Sequence, residues 1–131
     1  MEHSSIQLSG SQIEQISLDA GRLRVSFSRA YIVKTMTGSV EKTLWWQAGA
    51  LVLEGAEAER PLPSTPAICD GGDVEDNVYI YRDMIPVPLD SRGYTGCDLG
   101  LRNTDERIVA KGETMRLELA GSPKYIRHFG D

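Results

Sequence analysis

The stretch R-L-R-V-S-F-S, residues 22–28, decides the fold class. Leu23, Val25 and Phe27 share one side of an extended chain, while Arg22, Arg24, Ser26 and Ser28 share the other. That period of two marks a strand with one buried and one wet face, whereas a helix would place apolar residues three and four apart. The alternation runs on through Ala30, Tyr31, Ile32 and Val33 to Met36, where T-G-S (37–39) supplies a turn.

Working outward, the same pattern recurs. T-L-W-W-Q-A (43–48) and A-L-V-L-E (50–54) flank Gly49, and N-V-Y-I-Y-R (77–82) follows a proline-marked segment, E-A-E-R-P-L-P-S-T-P (57–66). G-C-D-L-G-L-R (96–102) aligns Cys97, Leu99 and Leu101, M-R-L-E-L (115–119) aligns Met115, Leu117 and Leu119, and K-Y-I-R-H-F (124–129) offers a last strand. In I-P-V-P-L (85–89) two prolines remove ladder donors, so an edge strand or an unpaired extended stretch is expected. Only S-Q-I-E-Q-I-S-L (11–18), with Ile13 and Ile16 three apart, admits two turns of helix, and its end reads equally well as strand. Short strands punctuated by A-G, D-G-G-D, S-R-G, K-G-E and G-S-P predict an all-β fold. The form is an antiparallel sandwich or partly closed barrel of about eight short strands, with little helix.

The chain has 131 residues, which fits one domain over 1–131 able to bury a core without staples. Residues 1–10 read as disordered or loosely attached. Net charge is −5, which repels phosphate-rich partners, so neither nucleic acid nor membrane is expected as a partner. No run reaches the ~18–20 apolar residues of a membrane span. The opening M-E-H-S-S-I-Q-L-S-G lacks a basic region followed by an apolar one, so a cytoplasmic setting with Cys69 and Cys97 as reduced thiols is expected. Ten arginines stand against four lysines. Arginine suits forked pairing with carboxylates, though genome composition alone produces such a bias.

Chemistry-bearing motifs are scarce. C-D-G-G-D-V-E-D (69–76) carries Asp70, Asp73, Glu75 and Asp76, with Asp83 nearby, hard oxygen donors of the type calcium prefers. The spacing misses the alternate-ligand loop of calcium-binding hands, so a solvated glycine turn is the favoured reading and a metal site the unlikely one. Cys69 and Cys97 each precede an Asp, which disfavours the thiolate. His3 and His128 lie far apart in sequence, and G-S-V-E-K-T (38–43) lacks the glycine and the helix of a phosphate loop. No catalytic residue is assigned, no cofactor is implied, and the reading leans away from an enzyme.

The aromatic residues are more informative. Adjacent Trp45 and Trp46 must point to opposite faces of a strand. With Leu44, Trp46 and Ala48 on the core side, Trp45 stands outside as an interaction candidate, joined by Tyr79 and Tyr81. The function expected is therefore that of a non-catalytic interaction or accessory domain. It would bind another protein or its own copy as a homodimer, a profile shared with small acidic immunity or accessory proteins of bacteria. The alternative is a small-molecule-binding barrel or sandwich in which Trp46, Tyr79 and Tyr81 line a cavity and an arginine holds an anionic group.

Overall fold

A computed structural model describes residues 2–38 and 40–129. Among these residues nine strands form one antiparallel sheet: β1 (Glu2–Asp19), β2 (Arg22–Met36), β3 (Lys42–Glu54), β4 (Glu57–Ala58), β5 (Ala67–Asp76), β6 (Tyr79–Arg82), β7 (Met84–Val87), β8 (Asp90–Leu101) and β9 (Arg107–His128). The order is β6-β5-β8-β9-β3-β2-β1-β7, and a further pairing of β5 with β1 bends the sheet into a ring of six strands. That closure rests on two residue pairs, Gln12 with Ile68 and Ile13 with Ala67. The barrel is partly closed, and among the described residues there is no helix.

The alternation of residues 22–28 is realised as the inner wall. Leu23, Val25 and Phe27 join Leu51 and Leu53 of β3, Leu99 and Leu101 of β8, and Ile108 and Met115 of β9 in one buried cluster. Burying each such side chain contributes about 1.5–3 kcal/mol. Both cysteines lie in this cluster and are free thiols. Burial pushes the Cys69 thiol up to about 11 and the Cys97 thiol up to about 12, which keeps both uncharged. Ile85 of the proline-flanked segment is fully buried, while its strand, β7, ends the sheet beside β1, where missing donors cost no interior ladder bond.

Four strands are longer than the alternating runs indicate: β9 has 22 residues, β1 18, β2 15 and β3 13. They pass through the barrel and out of it, forming an extension built from 2–8, 29–36, 42–47 and 120–129 with β7 beside β1. Residues 2–10, read from sequence as loose, belong to it: Ile6 and Leu8 are fully buried and 4–7 pair on both sides. Met1 lies outside the described residues.

The junction between barrel and extension is a line of bulges. Register shifts fall between Gln7 and Gln12 in β1 and between Phe27 and Ala30 in β2, and β9 sets three residues, 121–123, opposite Gln47 alone of β3. Bulges bend a strand and leave backbone groups unpaired, and two buried polar side chains meet that need. Ser11 Oγ donates to the Gln7 carbonyl at 2.6 Å and accepts from the Tyr31 amide at 3.1 Å. Gln47 Nε2 donates to the carbonyls of Ala120, at 3.3 Å, and Gly121, at 2.8 Å.

A bulge also accounts for the helix-like spacing of 11–18, which the structure places in β1. Ile13 lies opposite Phe27 and Ile16 opposite Val25, with one extra residue between them. The extra residue turns a spacing of three into a shared face, and both isoleucines meet the core.

Candidate functional site

The acidic stretch 69–76 is strand β5, not a solvated turn. Asp70 and Gly71 stand against Gly100 alone and form a bulge between the pairs Cys69–Leu101 and Gly72–Leu99. Gly72 has φ +141°, and a Cβ there would collide with the backbone of Asp98 and Leu99. Asp83 Oδ1 accepts the Gly72 amide at 2.9 Å, so this carboxylate closes the bulge. Along the strand the carboxylates part company. Asp73 lies in a row with Arg82 and Asp98, while Asp76 shares the parity of buried Val74 and accepts from the Asn77 side chain. Alternate strand residues face opposite ways, and among the described residues no group of three or more His, Cys, Asp or Glu is placed to hold a metal ion.

Tyr79 and Tyr81 stack with centroids 6.4 Å apart. Tyr81 packs on the core, and Tyr79 is exposed beside Val78 and Ile80 at the tip of the β5–β6 hairpin. Asn77 ties that tip to β8, donating to the Arg92 carbonyl and accepting from the Tyr94 amide.

The two tryptophans take faces opposite to those read from sequence. Trp45 lies opposite Ile32 and packs against the buried cluster; Trp46 lies opposite Tyr31 on the other face. The expectation failed because parity was set from Leu44 and Ala48. Strand β3 runs straight through Gly49, the bulges being in its neighbours, so the odd-numbered face of Leu51 and Leu53 continues to Trp45. Leu44, on the even face, is buried outside the central cluster.

Around these two rings the extension gathers cations. Arg29 lies over Trp46 at 4.3 Å from its centroid and Lys124 at 5.3 Å; Lys34 lies over Trp45 at 4.5 Å and Arg127 over Phe129 at 5.0 Å. Tyr125 meets Trp45 edge-on at 5.4 Å, and His128 meets Tyr125 edge-on at 5.8 Å. Trp45 Nε1 donates to Thr43 Oγ1 at 2.8 Å, so its polar atom is satisfied. Lys34 also reaches Glu2 at 3.6 Å. Arg29, Lys124 and Arg127 have no carboxylate ion pair among the described residues. Sequence reasoning missed Lys124, Tyr125, Arg127 and His128. The signal was there, since K-Y-I-R-H-F interleaves bases and rings in an acidic chain.

The barrel wall treats its charges differently. Arg22 Nε donates to both oxygens of Glu54 at 3.1 and 3.0 Å, and Arg116 bridges Glu54 at 3.0 Å to Glu118 at 2.8 Å. Arg24 completes the ladder on Glu118 at 2.7 Å. Arg22 and Arg116 hold the Glu54 carboxyl below its ordinary range, as Arg24 and Arg116 do for Glu118.

Comparison with known proteins adds no identity: no family, no curated protein and no solved structure matches the chain.

Proposed function

We propose that this chain is a non-catalytic protein-binding domain that engages an acidic region of another protein through the sheet extension. One observation carries the reading. In a protein of net charge −5, cations and half-exposed rings converge on the extension, where Arg29, Lys124 and Arg127 rest on rings instead of carboxylates. A cation over a ring keeps its positive charge, so its field remains available to an anionic partner. Tyr125 is 47% exposed and Phe129 37%, and such aromatic surface beside arginine is what protein interfaces favour. The small-molecule alternative has less support. Side chains fill the barrel interior, Trp46 faces away from it, and Tyr79 lies in the open.

Site-specific photo-crosslinking in the producing cell tests this reading. A crosslinker at position 124 is expected to trap a protein whose crosslinked segment is rich in Asp and Glu, and one at Arg92 on the barrel rim should trap none. Equal yields of the same products from both positions, or nucleic acid at position 124, would overturn it.

A further inference from the structure

The extension has an open side. Strand β8 pairs with β9 only as far as Arg116, and the Leu117 amide makes the last bond, to Leu89. Beyond that point β9 pairs with β3 alone, so the outer edge of 120–128 carries no strand among the described residues. An unpaired edge presents a row of amides and carbonyls that templates an added strand.

The side chains flanking this edge are sorted by face. Lys124 lies in register with Trp46 and Arg127 with Leu44, both on the even face of β3, whereas Tyr125 lies in register with Trp45 and His128 with Thr43 on the odd face. Directly opposed residues share a face. A strand laid along this edge therefore meets a cationic row on one face and an aromatic row on the other.

Building on the reading of the extension as a site for acidic protein, we propose that the edge of β9 at 124–128 takes an extended acidic segment of a partner as an added β-strand. Carboxylates at alternate positions lie against Lys124 and Arg127, and the intervening apolar side chains lie against Tyr125. Main-chain bonds supply affinity, and the alternating side chains supply specificity. A second copy is the weaker occupant. Pairing two β9 edges about a two-fold axis between residues 125 and 126 would set Lys124 opposite Arg127, and like charges directly across a pair repel. A nucleic acid strand is weaker still, because Arg29 and Lys124 already lie on Trp46, the ring a base would need for stacking.

The test uses the full chain and a labelled eight-residue peptide of alternating Glu and Val, read by fluorescence anisotropy. The same composition arranged as four Glu then four Val should bind about tenfold more weakly, since it cannot present one face of each kind. N-methylating one set of alternate amides should weaken binding by about tenfold or more, and methylating the other set should not, because only one set faces β9. Lys124→Glu with Arg127→Glu should abolish binding while circular dichroism stays unchanged. If the block and both methylated peptides bind as tightly as the parent, strand addition fails but capture of acidic protein stands. If neither Glu peptide binds, both readings fall. Tighter binding of an eight-nucleotide single strand, or sedimentation of the parent chain as a dimer that Lys124→Glu tightens by setting Glu opposite Arg127, would assign the edge to another occupant and overturn the proposal.

Discussion

On the barrel wall Arg22, Arg24 and Arg116 are held by Glu54 and Glu118. On the extension Arg29, Lys124 and Arg127 lie over rings. Both groups decorate the same long strands, so the difference is one of partner and not of backbone. The ladder satisfies itself and shields Val52, fully buried in the row between Arg24 and Arg116. On the extension only Lys34 has a carboxylate partner among the described residues, and Arg29, Lys124 and Arg127 have none. A cation neutralised within its own fold serves stability, and one resting on a ring can answer to something outside.

The strongest way to break this contrast is to find that the rings of the extension are merely decorative. Trp45→Ala should cost about 2–3 kcal/mol, less than full truncation of a core aromatic because the ring is only partly buried, and Trp46→Ala about 1 kcal/mol. Denaturant melts of the two variants decide it. The reverse order would return the core face to Trp46.

A smaller effect sharpens the comparison directly. Arg116→Ala removes the bridge between two carboxylates and part of the cover over Val52, and should cost about 1 kcal/mol. Arg127→Ala should lie within about 0.5 kcal/mol of the parent. Thermal melts showing equal losses would erase the distinction between ladder and extension.

The smallest effect is in pH. The folded Glu54 and Glu118 carboxyls sit below their ordinary value of 4.5. Their contribution is thus complete above that value and is lost as pH falls through the lowered folded range. The gap in melting temperature between parent and Arg116→Ala should narrow from pH 7 to pH 3, and should narrow also in high salt, because these groups are exposed to solvent. A gap that widens on acidification would contradict the ladder.

Much of the barrel was legible because alternation survives wherever a strand is straight. Leu23, Val25, Phe27 and Met115 point where their spacing puts them. What resisted reading lies at bulges. One extra residue in β1 made Ile13 and Ile16 look helical, and the glycines of β5 resembled a turn because nothing local announces that Asp83, eleven residues on, closes the bulge. The tryptophan faces were recoverable from Leu51 and Leu53 had Gly49 been read as uninterrupted strand. The site was the least legible part. Lys124 and Arg29 are 95 positions apart in sequence, and only the pairing of β2, β3 and β9 brings both onto Trp46.

The place of β9 between β3 and β8 also sets a schedule. Strands β1 to β3 leave the ribosome early and can pair as a meander, and β5 with β8 can follow. Until residues 107–128 emerge, β3 and β8 each wait with an unfilled side and the ring stays unsealed. Pairings distant in sequence are slow to form, and exposed edges invite aggregation while they wait. The half-made chain therefore passes through its most vulnerable moment just before its longest strand arrives, and that one strand joins the two halves of the barrel and lays down the open edge in a single event.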